Sequence, residues 1–357
     1  MKLNIAISSH KPVSHGGLYS IANPSQDILD FSSNINPLGP NPKVLKTIKN
    51  HLSTLKIYPD SESLELRKNL QNYTKIASSQ IVIGNGATEI IYNFCKAFLS
   101  NKTPILIPIP TFGEYEAAAK IVGAKVEFYK TMDLNKDLDD FISKLPNNGC
   151  VFICNPNNPV GYLIPKNYLK KIIIAANKKN TLIFLDECFI ELVPDYDESI
   201  ITFVKKYTNL FILRSLTKSF GLAGLRIGYG IGGKKQILVL NNIKIPWNVS
   251  GLAQYAASSA LSIPNYLDNA KKIIQKESNY LKNNISKLKN FDCYDSVTNF
   301  ILIKSKLKST NLQKKLLKKN ILIRDCSNFR GLDNHYIRIA VKTRKENQRL
   351  VHALEEL

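Results

Sequence analysis

Between residues 80 and 231, short apolar runs alternate with stretches of helical periodicity, and few chain plans satisfy that alternation. The runs at 80–83, 104–107, 125–129, 151–154, 182–185, 210–213 and 226–231 read as strands. The segments 88–99, 113–121 and 165–178 between them read as helices. Strands this apolar, separated by helices, predict an α/β fold in which a mostly parallel seven-stranded sheet lies between helices. Ligands in such sheets collect at the carboxyl ends of the strands.

The pattern changes after residue 246. Helical stretches at 251–261 and 265–288 are followed by short strands at 299–303, 321–324 and 336–341, with a helix at 312–319. A last helix opens on Thr343-Arg344-Lys345-Glu346, a capping box. The expected organisation is an N-terminal arm over 1–40 that joins the small domain, a large domain over 41–246, and a smaller α+β domain over 247–357.

Composition removes several classes of function. No apolar run approaches the roughly 20 residues needed to cross a bilayer, and residues 1–9 lack the apolar stretch of a secretory signal, so a cytoplasmic protein without a membrane partner is expected. The net charge of +21 raises the possibility of a non-catalytic nucleic-acid-binding protein. The lysines are spread along the chain, in pairs such as Lys178-Lys179 and Lys318-Lys319, with no basic stripe interleaved with aromatics. A compositional bias explains them better, and no nucleic-acid partner is expected. The six cysteines include no Cys-x-x-Cys pair. Cys150 and Cys154 share a strand face but stand too far apart to bridge, so reduced thiols and no metal site are expected.

Chemistry concentrates in Ser215-Leu216-Thr217-Lys218-Ser219-Phe220-Gly221-Leu222-Ala223-Gly224-Leu225-Arg226. A lysine here can condense with an aldehyde, while Ser215, Thr217 and Arg226 hold an anion beside it. An aldehyde with an anionic tail describes pyridoxal 5'-phosphate. Other strand ends carry what such a cofactor needs. Gly84-Asn85-Gly86-Ala87-Thr88-Glu89 joins a strand to a helix, with small residues that let backbone amides approach a phosphate. Phe112, in Pro110-Thr111-Phe112-Gly113, can stack on a flat ring. Asn158, in Asn155-Pro156-Asn157-Asn158-Pro159, can donate to a ring oxygen. Asp186 ends a very apolar strand, where a carboxylate needs a partner; a protonated pyridine nitrogen would be one.

The order of these motifs resembles that of the fold type I pyridoxal-phosphate enzymes of the aminotransferase class I/II group, over essentially the whole chain. The resemblance implies that Lys218 forms the Schiff base and moves the proton on the substrate carbon. It implies that Asp186 pairs with the pyridine nitrogen, Asn158 bonds the ring hydroxyl and Phe112 stacks on the ring. Gly86, Ala87, Ser215, Thr217 and Arg226 would surround the phosphate. Tyr58, in Tyr58-Pro59-Asp60, would reach the phosphate in a neighbouring subunit, which implies a homodimer with shared active sites.

Within the group the chain resembles both threonine-phosphate decarboxylases and histidinol-phosphate aminotransferases. Five segments favour the decarboxylases: His15-Gly16-Gly17; Asp30-Phe31-Ser32-Ser33-Asn34-Ile35-Asn36-Pro37; Phe189, where aminotransferases usually carry a tyrosine; Ile245-Pro246-Trp247-Asn248-Val249; and Ile321-Leu322-Ile323-Arg324-Asp325-Cys326-Ser327-Asn328-Phe329. The segment Phe220-Gly221-Leu222-Ala223-Gly224 looks at least as much like the aminotransferases. By resemblance Arg338 binds the substrate carboxylate, while Arg324 and His15, with Asn36 nearby, are candidates for the substrate phosphate; Asn158 would also touch the substrate. A phosphorylated amino-acid substrate is implied. Whether the Cα–carboxylate or the Cα–H bond stands perpendicular to the cofactor ring would decide between decarboxylation and transamination.

Overall fold

The seven apolar runs of residues 80–231 form one sheet in the structure, a computed structural model that describes residues 5–8, 10–25, 27–194 and 198–357. In chain order the strands are β1 (Leu29–Asp30), β2 (Ile81–Asn85), β3 (Pro104–Ile109), β4 (Lys125–Lys130), β5 (Cys150–Cys154), β6 (Leu182–Asp186) and β7 (Leu210–Ser215). They continue with β8 (Ile227–Ile231), β9 (Phe291–Cys293), β10 (Phe300–Ser305), β11 (Ile321–Leu322), β12 (Arg324–Asp325) and β13 (Tyr336–Ala340). The large sheet runs β2-β8-β7-β6-β5-β3-β4.

In that sheet β8 alone runs against the other strands, pairing antiparallel with both β7 and β2. The reason lies in the connection. Parallel neighbours need a crossover of a dozen or more residues, and between β7 and β8 the chain makes only the short helix Leu216–Ser219 and the turn Ala223–Leu225. This reversal holds Lys218 at the sheet's carboxyl edge. The strand expected from residue 226 begins at Ile227, because Arg226 takes a left-handed turn conformation with φ 53°.

Alternate residues of the central strands feed two cores. Val151, Ile153, Ile183, Leu185 and Ile212 face one side. Phe152, Phe184, Phe211 and Leu213 face the other, where Phe94 of the helix Gly86–Phe98 packs among the aromatic rings. This two-sided burial is why the strands read as continuous apolar runs.

The smaller lobe is a four-stranded antiparallel sheet, β12-β13-β10-β9, covered by helices Asp268–Ile285, Ser309–Leu317 and Arg344–Glu355. The last of these carries the Thr343/Glu346 capping box. From the N-terminal segment, β1 pairs in parallel with β11, and Phe31 enters the small lobe's core. The lobe change placed at residue 246 comes later. Val249, Ala253, Ala256, Ala257, Ala260 and Leu267 belong to the large lobe's core, and the helix Gly251–Leu261 packs on Pro42–Asn50 and Leu64–Thr74. Helical periodicity shows that a helix buries a face, not which lobe receives it. Among the described residues all six cysteines are unpaired, and no helix is long and apolar enough to cross a membrane.

Candidate active site

The carboxyl ends of β5, β6 and β7 open into a cavity of about 1230 Å3, lined also by residues 10–16, 32–34, 324 and 327–332. Lys218 enters from the turn between β7 and β8. Its ammonium makes no hydrogen bond or ion pair among the described residues. Burial, reinforced by the cations Arg338 and Arg226, lowers its pKa to about 8. Among the described residues no acid ties it up, so the amine is available to a ligand.

Asp186 closes the floor at the end of β6, buried at 5% exposure. It accepts from the Tyr115 hydroxyl at 2.6 Å and from the Cys188 N–H at 2.9 Å. Burial raises its pKa against these two bonds. It has no ion-pair partner among the described residues, so a cationic ligand atom would complete its environment.

A cradle of hydroxyls and amides occupies another end of the cavity. The Ser215 and Thr217 hydroxyls are 2.7 Å apart, and Ser215 caps the short helix that carries Lys218. Ala87 and Thr88, in the first turn of the helix Gly86–Phe98, line the cavity with Arg226. Gly86 has φ 78°, and a Cβ there would lie 2.6 Å from Arg226 Nη2. Glycine thus lets the guanidinium close on the helix N-terminus, an arrangement suited to a phosphate.

Toward the small lobe, Arg324 and Arg338 stand opposite each other on β12 and β13. Both are buried, both line the cavity, and neither makes an ion pair among the described residues. Arg338 donates to Asn158 Oδ1 and to the Ser32 carbonyl at 3.0 Å, leaving its Nε unpaired. Arg324 Nη2 donates to the Ser14 carbonyl at 2.6 Å and to Asn328 Oδ1 at 3.0 Å. Burial, with repulsion from Arg324, lowers Arg338 to about 10. His15 lines the same cavity, with its ring 5.7 Å from that of Phe112 and its Nε2 2.6 Å from Glu114.

A model of the aminotransferase class I and II family matches residues 26–354. The chain belongs to the class I and II aminotransferases. It is 36% identical over 352 residues, 97% of this chain and 94% of the relative, to a protein of Caldanaerobacter subterraneus subsp. tengcongensis named "Putative threonine-phosphate decarboxylase". The histidinol-phosphate aminotransferase structure from Clostridium acetobutylicum superposes with a TM-score of 0.85 at 37% identity, covering 92% of this chain and 98% of that one. The L-threonine-O-3-phosphate decarboxylase structure from Porphyromonas gingivalis gives 0.83 at 28% identity, covering 91% and 98%. Histidinol-phosphate aminotransferases are the more numerous relatives.

The chain is thus an enzyme of the pyridoxal-phosphate-dependent aminotransferase family, with pyridoxal 5'-phosphate as its cofactor. This class I and II aminotransferase has residues that suit the cofactor group by group. The unpaired Lys218 amine suits its aldehyde, the cradle of Ala87, Ser215, Thr217 and Arg226 its phosphate, and the floor carboxylate Asp186 its pyridinium nitrogen. With its amide oxygen held by Arg338, Asn158 has its NH2 left as a donor for the ring hydroxyl. Phe112 lines the same cavity.

Three expected site residues do not line this cavity, although Tyr58 is expected to serve a neighbouring subunit's site and not this one. Gly86 does not line the cavity and acts by admitting Arg226. Tyr58 is 79% exposed and packs on Trp247 with ring centroids 4.8 Å apart. Asn36 sits behind the site: its N–H donates to the Lys218 carbonyl at 3.0 Å and its Nδ2 to the Ser219 carbonyl at 2.8 Å. It braces the lysine's backbone and does not reach the substrate space. Asn34 faces the cavity in its place, 2% exposed, with Oδ1 unpaired. Sequence reasoning passed over Asn34, Glu114 and Tyr115. Asn34 stood within a segment already singled out, while the two others looked like an ordinary helix start.

Proposed function

We propose that the enzyme decarboxylates L-threonine O-3-phosphate to (R)-1-amino-2-propanol O-phosphate and CO2. The observation that carries this reading is the Arg324–Arg338 pair, two buried guanidiniums side by side that make no ion pair among the described residues. Uncompensated buried cations are unfavourable, and a ligand with two anions removes the penalty. Threonine phosphate brings both anions in one molecule. Arg338 takes the carboxylate, with its Nε as a free donor, and Arg324 and His15 take the phosphate. The Asn34 carbonyl oxygen accepts from the substrate's amine or from a protonated phosphate oxygen.

When bound, the cofactor supplies an electron sink beside the substrate's Cα. The chain selects the bond. By holding both anions, Arg324 and Arg338 would fix the substrate's rotation about Cα and so present its carboxylate bond for cleavage, with CO2 as the leaving group. Lys218 then delivers a proton to Cα; a pKa of about 8 suits an amine that must change protonation state near neutral pH. Phe189 presents carbon to the cavity and packs edge-on against Phe300 at 5.1 Å. No hydroxyl there competes with Asn158.

We further propose a homodimer. Leu55, Ile57, Tyr58, Ile245 and Trp247 are all more than half exposed, an unusual set for a surface facing water. A second copy would bury them and bring Tyr58 to its partner's cofactor phosphate.

Transamination of histidinol phosphate with 2-oxoglutarate is the second reading, supported by the 37% identical Clostridium structure. Binding separates the two. Histidinol phosphate carries one anion, so threonine phosphate should raise the holoenzyme's Tm more at matched concentrations. Greater protection by histidinol phosphate would favour transamination.

A further inference from the structure

Glu114 is a buried carboxylate, 5% exposed, that faces the site without lining it. Both of its oxygens are engaged: Oε1 lies 2.6 Å from His15 Nε2, and Oε2 accepts from the Tyr92 hydroxyl at 2.7 Å. Burial pushes its carboxyl up, but the bonds from His15 and Tyr92 outweigh this and hold it below the usual range. The arm before His15 is tied to the small lobe, where Arg324 and Asn328 both donate to the Ser14 carbonyl. Behind it, a Cβ on Gly16 would lie 2.7 Å from the Ser32 carbonyl oxygen, so the backbone is closely seated there too. The imidazole itself is 49% exposed, and its one hydrogen bond among the described residues is to Glu114.

We propose that Glu114 is a positioning residue: its carboxylate fixes the His15 ring over the cavity and thereby sets how tightly the substrate's phosphate is held. The inference rests on the reading above that the substrate carries a phosphate. The backbone contacts bring His15 to the rim, and only the bond to Glu114 decides which ring nitrogen turns inward. With Nε2 engaged by Glu114, Nδ1 is left for the phosphate: it donates when the ring carries both protons and accepts from a protonated phosphate oxygen when it carries one. Tyr92 anchors the other oxygen away from the cavity, so toward the substrate Glu114 acts through His15 and the two side chains should behave as one unit in binding.

The test is a double-mutant cycle on the holoenzyme with Glu114→Gln, His15→Asn and the two combined. Each single variant should raise KM for threonine phosphate about tenfold, with kcat within about twofold. The double variant should be no worse than His15→Asn alone. Inhibition by inorganic phosphate should weaken in parallel, and Glu114→Asp, which keeps the charge, should recover part of the loss. An unchanged KM in Glu114→Gln, or effects that multiply in the double variant, would overturn the proposal; so would a fall in kcat at constant KM. If the wild type uses histidinol phosphate and refuses threonine phosphate, the substrate reading fails. The same cycle then tests Glu114 on that second phosphate ester. A wild type that ignores both phosphate esters and accepts L-threonine overturns both.

Discussion

Arg324 and Arg338 are register partners across the β12–β13 ladder, both buried and both turned to the cavity. Two guanidiniums so placed are suited to an anionic ligand. Replacing Arg338 with lysine removes the forked donor set, and kcat/KM should fall about 100-fold, as for loss of a charge-assisted pair. Arg324→Gln should act mainly on KM, since this guanidinium is the one proposed to hold the distal phosphate. Steady-state kinetics on both variants check the division. An Arg338 variant that loses only KM would reverse the two roles.

Lys218→Ala should abolish turnover and the visible absorbance of lysine-bound cofactor. Lys218 also makes a prediction for the cofactor-free protein. Its folded pKa, lowered to about 8, lies below that of an unfolded lysine. Below pH 8 the folded state therefore pays for a buried ammonium, and this loss fades as pH rises toward the unfolded pKa of about 10.4. Lys218→Met should stabilise the apoprotein by about 3 kcal/mol at neutral pH, the gain disappearing by about pH 10.5. Urea titrations of both proteins across this range give the difference directly. A gain that grows with pH would contradict the assignment.

Arg214 is fully buried between two carboxylates, 2.7 Å from Glu187 and 3.2 Å from Glu191, directly behind Asp186. Arg214→Met leaves both buried acids without their cation, though still hydrogen-bonded to Ser199, Ile200, Tyr73 and Tyr229, and should destabilise the fold by about 3–5 kcal/mol. Denaturant midpoints check this. A loss below about 1 kcal/mol would mean that the acids find other partners.

The central strands were legible because both of their faces are buried, so each reads as an unbroken apolar run. The cofactor side was legible for a related reason: Lys218, Asp186 and Asn158 each follow a strand end that the pattern marks. Substrate-side contacts were harder. Asn34 and Asn36 lie in one polar stretch, and a turn in which the Ile35 N–H bonds the Ser33 carbonyl sends one into the cavity and the other behind Lys218. Glu114 and His15 are 99 positions apart, and nothing in either local sequence announces their bond. The alanine-rich helix Gly251–Leu261 shows the same limit, since its periodicity does not name its docking partner.

The exposed Tyr58–Trp247 contact gives assembly an optical reporter, because Trp247 is the chain's one tryptophan. Dilution through the dissociation range of the proposed dimer should red-shift its emission and loosen the cofactor together. Tyr58→Phe should weaken cofactor retention several-fold without changing the oligomer. A monomer at micromolar concentration with full activity would contradict a shared site.

Decarboxylation itself is tested most directly by supplying the holoenzyme with threonine phosphate and no keto acid. Release of one CO2 for each aminopropanol phosphate formed is the predicted result. No CO2 from threonine phosphate, together with rapid amino exchange between histidinol phosphate and 2-oxoglutarate, would contradict it.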